Sequence, residues 1–247
     1  MKSQVHLAHD PWRAGLESMI KKVINDSNAK MIISTGTAGA ASDNQRLGDV
    51  VFTTSATIKL EKAENLPCSY NAKTFHGRKH FKKTDLIEKS KHSLMLPLQK
   101  VWTRGVIDIL LERLNKEYEG KYQYGYDDLV NPALEPDNLT SNQIEILNDT
   151  PLFTTDFYFT TDTDHPLNYS FLEMDDAVIA YQAEQLNVDY GFIRNVSDPV
   201  IRAKDSHEKP IPSEVQGDWS GMIYKYSGFY TSYNSAHGTW ASLNQFD

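Results

Sequence analysis

The chain has 247 residues, of which 40% are hydrophobic, and a formal net charge of −8. This length is enough to bury a large core without disulfides, and the single cysteine, Cys68, excludes an intrachain disulfide framework. The acidic balance argues against a nucleic-acid partner, because polyphosphate would be repelled. No apolar run reaches the roughly 20 residues of a membrane span, and no signal-type segment follows Met1. We therefore expect a cytoplasmic protein with no membrane partner.

Strand and helix patterns alternate in the first quarter of the chain. Residues 5–8 predict a short strand, and Asp10-Pro11 begins an amphipathic helix over 11–26. Residues 30–33 predict a buried strand that runs directly into a glycine-bearing turn at 34–40. Val50–Thr54 predicts a further strand.

The rest of the chain continues this alternation after a polar, basic stretch. The predicted segments are a loop at 61–92, a helix at 97–117, an irregular stretch at 119–150, a strand at 153–161, a helix at 173–186, a strand at 190–196 and a helix at 217–243. Strands that alternate with helices predict one α/β domain, residues 1–247, with a largely parallel sheet.

Three segments fall where an open α/β sheet binds its ligands, at the carboxyl ends of strands. They are the small-residue turn 34–40, the acidic run Glu173–Asp176, and the strand end Asn195–Asp198. Each also has a purely structural explanation. The first is typical of a tight connection, the second suits the dipole at a helix N-terminus, and the third suits a turn.

Taken together and in this order, the three segments resemble a known family. The pattern strand–GTAGA–GDVVF, followed by EMDDA–helix–strand–SDP, resembles the nucleoside phosphorylase/nucleosidase superfamily. The most similar subgroups are the methylthioadenosine/S-adenosylhomocysteine nucleosidases and the hexameric-type purine nucleoside phosphorylases. The resemblance covers about residues 5–60 and 150–240, whereas 61–148 has no match. It implies a three-layer αβα sandwich with a mostly parallel mixed sheet, a homo-oligomer, and no metal or organic cofactor.

The resemblance also implies a role for individual residues. Asp198 stands where the family's general acid protonates N7 of a leaving purine, a task that suits a carboxyl group with a tuned pKa. The other roles it implies are ribose binding by Glu173, Met174 and Asp175, base binding by Phe157 or Tyr158 and by Ser197, and a pocket for the nucleophile or phosphate at Gly36 and Thr37. The expected partner is therefore a small nucleoside.

Departures from the family pattern bear on the nucleophile. Gly48 stands where the hexameric phosphorylases carry a phosphate-binding arginine, and Ser34 stands where uridine phosphorylases carry theirs; Arg46 is near but out of register. Hydrolysis is therefore favoured, and a phosphorylase with phosphate as co-substrate is the alternative. The first strands of the family's fold have no counterpart before Val5. The glutamate with which the family's hydrolases activate water belongs to that segment and therefore has no counterpart either. This departure, and Asp175 in place of glutamate, keep a non-catalytic nucleoside-binding or storage protein as a further alternative.

Two weaker signals lie outside these motifs. The basic stretch 76–83 could bind a phosphate-bearing ligand, but a solvated loop is the simpler interpretation. The aromatic residues of the last predicted helix recur at near-helical spacing, which favours a core or a subunit interface over a substrate lid. They are Tyr224, Tyr226, Phe229, Tyr230, Tyr233 and Trp240.

Overall fold

A computed structural model of the chain describes residues 15–40, 44–59, 73–93, 97–155, 169–199 and 202–246. All the strands in this part of the chain join one eight-stranded sheet, in the order β4-β3-β6-β7-β1-β8-β2-β5. The strands are β1 (Met31–Ala40), β2 (Val50–Thr53), β3 (Ser55–Lys59), β4 (Thr74–His76), β5 (Ile144–Ile146), β6 (Leu152–Thr155), β7 (Phe171–Glu173) and β8 (Asp189–Asp198). The α-helices are α1 (Leu16–Ser27), α2 (Asp85–Ser93), α3 (Arg104–Glu117), α4 (Tyr126–Leu129), α5 (Asp176–Gln185) and α6 (Ser213–Ser242).

The sheet is mixed, with more parallel than antiparallel pairings. Four pairs of neighbouring strands are parallel: β1–β8, β2–β5, β3–β6 and β6–β7. The pairs β1–β7, β2–β8 and β3–β4 are antiparallel. The long parallel pair β1–β8 lies near the middle of the sheet, where both of its faces are covered, as parallel strands require.

Helices cover the two faces of the sheet and complete a three-layer sandwich. On one face, α1 and α5 pack on alternate strand residues such as Val51, Phe192 and Val196. On the other face, α2 and α6 pack on the intervening residues, including Phe52 and Ile193. A further apolar cluster joins α3 to the first half of α6. The predicted fold class is therefore confirmed.

Several predicted segments differ in the structure. The expected turn at 34–40 is part of β1, because pairing with β8 continues through the glycines. The expected loop at 61–92 contains β4 and α2, and the expected irregular stretch at 119–150 contains α4 and β5. The helix expected at 97–117 begins at Arg104, where the Thr103 side chain caps it.

Other predictions fall wholly or partly outside the described residues. These are the strand at 5–8, the start of the first helix, the end of the strand at 153–161, Cys68, and the base-binding candidates Phe157 and Tyr158. Within the described ranges, no helix combines the length and apolarity needed to cross a bilayer.

Candidate active site at the ends of strands β1 and β8

Asp198 ends strand β8 beside the glycine-rich end of β1. The two strands pair residue for residue from Met31↔Asp189 to Ala38↔Val196, and then Gly39 pairs with Asp198, so that Ser197 is an extra residue in a β-bulge. A bulge turns the following side chain to the other face of the sheet. Asp198 consequently faces α6 instead of following the face of Arg194 and Val196.

Hydroxyl groups hold both oxygens of the Asp198 carboxylate. The Ser197 hydroxyl donates to Oδ1 at 2.6 Å, and the hydroxyl of Ser220, on α6, donates to Oδ2 at 3.0 Å. The hydroxyl of Ser227, which also lies on α6, donates to the Ser197 carbonyl oxygen at 3.2 Å. Helix α6 thus fixes the strand end from the side, and Asp198 itself is only partly buried.

The acidic run of the sequence lies at the junction of β7 and α5. Glu173 is the last residue of β7 and not part of a helix, contrary to the predicted helix at 173–186. Its Oε2 accepts hydrogen bonds from the backbone N–H groups of Asp175 at 2.5 Å and Asp176 at 2.9 Å. Its Oε1 accepts from the Thr154 hydroxyl, which in turn accepts from the Ala177 N–H at 2.9 Å. Glu173 and Thr154 therefore satisfy the free N–H groups at the start of α5.

Arg194, in the middle of β8, joins this junction to β1. Its buried guanidinium donates to both carboxylate oxygens of Asp176, to Asp175 Oδ1 at 2.5 Å and to Ser34 Oγ at 3.0 Å. Sequence reasoning did not single out Arg194, although a signal was present. An arginine within the apolar run 190–196 must be paired when the strand is buried.

The charges of this cluster set the ionisation of its members. Burial raises the pKa of Glu173 well above its usual range, and the negative charges of Asp176 and Asp175 raise it further. The positive charge of Arg194 lowers this pKa but does not outweigh these effects. Burial also raises the pKa of Asp176, although Arg194 opposes it. Burial acts on Asp175 in the same direction, but the charge of Arg194 and the hydrogen bonds outweigh it, so the pKa of Asp175 is lowered. Asp175 is thus the member most firmly held as a carboxylate.

Gly36 lies directly under the guanidinium. A Cβ atom at this position would lie 2.5 Å from Arg194 Nη1, so that only glycine fits while Arg194 keeps its partners. The same Nη1 faces the Thr37 carbonyl oxygen at 3.4 Å. The predicted pocket residues Gly36 and Thr37 therefore lie beside a fixed cation.

Carboxylate oxygens of Glu173, Asp175 and Asp176 lie within 4.8 Å of one another, a spacing that a metal ion could use. The Arg194 guanidinium already supplies the positive charge in this cluster, through its contacts with all three residues. The donor set is therefore explained without a metal ion.

The remaining candidates lie at or near this edge of the sheet. Met174 is 38% exposed between Glu173 and Asp175. Ser197 is buried with its hydroxyl engaged by Asp198 and by the Ala38 carbonyl oxygen at 3.3 Å. Arg46 is directed elsewhere, because its guanidinium donates to the Asn138 carbonyl oxygen at 2.8 Å.

Part of the basic stretch 76–83 has a structural role at the opposite end of β8. Arg78 donates to Asp189 at 2.7 Å, and Lys79 lies 3.4 Å from the other oxygen of the same carboxylate. These contacts tie the stretch to the first residue of β8. They agree with the simpler interpretation of a surface segment.

Comparisons with known proteins identify the fold. No protein-family model matches the chain, and no curated protein matches its sequence. Its structure is similar to that of the 5′-methylthioadenosine/S-adenosylhomocysteine nucleosidase from Neisseria meningitidis in complex with methylthio-immucillin-A. The TM-score is 0.50 at 15% identity, and the match covers 93% of this chain and 76% of that chain.

Two further solved structures give similar comparisons. The nucleosidase of the same name from Helicobacter pylori gives a TM-score of 0.49 at 10% identity, covering 93% of this chain and 75% of that chain. Futalosine hydrolase of Helicobacter pylori gives a TM-score of 0.47 at 10% identity, and the match covers 93% of this chain and 74% of that chain. The neisserial structure establishes that this chain shares the fold of that nucleosidase. The resemblance predicted from the sequence is thereby confirmed for the fold.

Proposed function

We propose that this protein cleaves the N-glycosidic bond of a purine nucleoside, with water as the acceptor and Asp198 as the general acid. The observation that carries the proposal is the β-bulge at Ser197, which presents the Asp198 carboxyl group beside Gly39 at the strand ends. Open α/β sheets bind their ligands at this edge. The proposed reaction needs no metal ion and no organic cofactor.

The proposed chemistry requires a proton donor on the base. As the bond between C1′ and the base nitrogen breaks, its electron pair moves onto the purine and the ribose becomes oxocarbenium-like. Asp198 donates a proton to N7, so that a neutral base leaves. Water adds its oxygen to C1′ and releases one proton, which restores the acid form of Asp198. The hydroxyl groups of Ser197 and Ser220 hold Asp198 in one orientation, and proton transfer from a positioned carboxyl group depends on that orientation.

Asp175 is the proposed ribose ligand. Arg194 fixes its carboxylate at 2.5 Å and keeps it ionised, so that it can accept hydrogen bonds from ribose hydroxyl groups. Arg194 pairs along the sheet with Gly36, and Asp198 with Gly39.

Two observations support water over phosphate as the acceptor. Three acidic side chains surround the one guanidinium, so its charge is already balanced and none is left to attract a phosphate anion beside Arg194. Gly48, where a phosphorylase would carry arginine, has φ +86°, and a Cβ atom there would lie 2.6 Å from Leu98 and 2.8 Å from Asn142. Neither Arg194 nor the position of Gly48 therefore offers a free positive charge to a phosphate ion.

The test is release of free base from adenosine, inosine, methylthioadenosine and uridine, each with and without phosphate. We expect purine release that does not depend on phosphate. Asp198→Asn should lower kcat by at least about 100-fold, because general acid catalysis typically contributes factors of 10²–10⁴. Asp137→Asn, which changes an exposed aspartate in the same chain, is the matched control and should be fully active.

Each other outcome selects a different function. Release that requires phosphate would identify a purine nucleoside phosphorylase and overturn the electrostatic argument. An inactive wild-type chain that still binds adenosine would identify a nucleoside-binding protein of this fold. Full activity in Asp198→Asn would remove Asp198 from the mechanism.

A further inference from the structure

One edge of strand β1 has a neighbouring strand only at its end. On one side, β8 pairs with β1 from Met31 to Gly39. On the other side, β7 pairs with Gly39 and Ala40 alone. Among the described residues, no strand pairs with this side of β1 before Gly39. We call this side, over residues 31–37, the open edge of β1.

One hydrogen bond shows which backbone groups face the open edge. The N–H group of Asp189, on β8, donates to the carbonyl oxygen of Lys30 at 3.1 Å. The N–H and C=O groups of one strand residue point to the same side, and that side alternates from residue to residue. Because the register with β8 is unbroken as far as Ala38, the even-numbered residues of β1 face β8. The backbone groups at the open edge therefore belong to Met31, Ile33, Thr35 and Thr37.

The exposure of the two strands agrees with an uncovered edge. Every residue of β8 from Tyr190 to Ser197 is buried. No residue from 31 to 37 of β1 is fully buried, although β1 lies near the centre of the sheet. Unpaired N–H and C=O groups along a strand edge are a template for a further strand, and half-buried ones are costly without a partner. The open edge is therefore a surface that suits one extended segment.

We propose that the strand predicted at residues 5–8 pairs with the open edge, parallel to β1. These residues lie outside the described ranges, so their place is inferred from the elements that follow them. Helix α1 leads into β1 through residues 28–30 and packs on one face of the sheet, in the same apolar cluster as Ile32. A strand before α1 completes a strand–helix–strand unit, whose two strands run parallel in one sheet and are commonly neighbours.

The handedness of this unit selects the open edge. Such connections are right-handed in about 98% of cases. Viewed from the helix with the strands pointing up, the first strand then lies to the left of the second. In this view, an L-residue whose side chain points to the viewer directs its N–H and C=O groups to the right. Ile32 points toward α1, and its backbone groups face β8, so β8 lies to the right of β1. The open edge lies to the left, where a right-handed connection places the first strand.

The connection to α1 favours this segment over a separate peptide. Residues 9–15 join the predicted strand to α1, which begins at Leu16. A segment held by so short a connection has an effective concentration in the millimolar range at the edge beside it. Alternation along the strand places Val5 and Leu7 on one face, so that both can join the apolar cluster under α1.

Amide hydrogen exchange followed by NMR separates the two sides of β1. In the wild-type chain, the N–H groups of Ile33, Thr35 and Thr37 should exchange at least about 100-fold more slowly than in an unfolded peptide. His6→Pro and Leu7→Pro each remove one N–H group of the predicted strand. Neighbouring N–H groups point to opposite sides, so one of the two variants removes a bond to β1. That variant should lose at least about tenfold of this protection.

Two controls show whether the effect is confined to the open edge. The N–H groups of Ser34 and Gly36 bond to β8, so they should stay protected in both variants. Lys2→Pro, which lies before the predicted strand, should leave all of this protection unchanged. A second measurement needs no variant, because nuclear Overhauser contacts in the wild-type chain should join residues 5–8 to the odd-numbered residues of β1.

Three results would overturn the proposal. Fast exchange of the odd-numbered amides in the wild-type chain would show that the open edge stays exposed to water. Protection that survives both His6→Pro and Leu7→Pro would mean that another segment or another chain covers it. A variant that also loses protection at Ser34 and Gly36 has unfolded, and the wild-type Overhauser contacts then decide. Their absence would overturn the pairing, and their presence would support it.

Discussion

Arg194 shows how one buried side chain organises several others. It provides the positive charge for two aspartates and for Glu173, and it contacts β1 through Ser34. Removal of one partner from a buried ion pair costs about 3–5 kcal/mol, because the remaining charge stays buried without compensation. A substitution of Arg194, of one of its acidic partners or of Gly36, which makes room for the guanidinium, therefore affects the whole cluster.

Gly36→Ala is expected to destabilise the protein by about 1–3 kcal/mol, the usual cost of an inserted methyl group in a packed site. The added Cβ atom would lie 2.5 Å from Nη1, and the guanidinium cannot move without leaving its carboxylates. Urea denaturation measures the change. Gly217→Ala is the control, since nothing lies within 4 Å of its Cβ position in α6 and alanine there should stabilise by up to about 1 kcal/mol. Equal stability of Gly36→Ala and the wild type would show that the Arg194 network is loose.

At the level of elements, the site depends on how β8 ends and on how α6 supports it. The bulge directs Asp198 toward α6, and the Ser220 hydroxyl meets its Oδ2 atom at 3.0 Å. A strand end without this support would let the carboxylate rotate about its side-chain bonds. Ser220 is therefore a positioning residue for the proposed acid.

Ser220→Ala is expected to lower kcat by up to about tenfold with little change in KM. The factor corresponds to the loss of one hydrogen bond, about 0.5–1.5 kcal/mol. Base-release kinetics on the preferred nucleoside measure it, with Ser232→Ala, at an exposed position of the same helix, as the control. Ser220→Thr keeps the hydroxyl group and should restore most of kcat. A variant that raises KM and leaves kcat unchanged would instead assign Ser220 to substrate binding.

Elements rich in apolar residues were predictable from the sequence, whereas the three-residue strands were not. The patterns predicted β2 and β8 closely and α6 approximately, because each has enough apolar residues to fix its period. Strands β4 and β5 have three residues each, and β5 pairs with β2 more than 90 residues away. Glu173 resembled a helix start because acids are common there, but pairing of Leu172 with Gly39 extends the strand.

The positions of the candidate site residues in the fold were predictable to a similar extent. The order of motifs indicated Asp198 and the acidic run, which the structure places at the ends of β8 and β7. The bulge at Ser197 leaves no mark in the sequence, since it arises from the register of two strands. The partners of Arg194 depend in the same way on β1, β8 and α5 coming together.

At the scale of the whole molecule, the buried acidic cluster links folding to pH. The folded-state pKa of Glu173 is raised above its usual 4.5, so the folded protein holds a proton there that the unfolded chain has released. Stability therefore falls as pH rises from about the unfolded value to the folded value. The lowered pKa of Asp175 has the opposite effect, because the stability that it contributes is lost as the pH falls. This loss occurs below the usual pKa of 3.8, so Asp175 does not change the stability between pH 5 and 8.

Glu173→Gln is therefore expected to gain stability relative to the wild type as the pH rises from 5 to 8. Glutamine cannot ionise, and its carbonyl oxygen can still accept from the Asp175 and Asp176 N–H groups while its amide faces the Thr154 hydroxyl. Urea denaturation at pH 5, 6.5 and 8 measures the difference, and the exposed Glu112→Gln should show almost none. A difference that stays constant or declines with pH would mean that Glu173 is ionised in the folded protein throughout. In that case Arg194 and the three donors to its carboxylate would outweigh the cost of burying its charge.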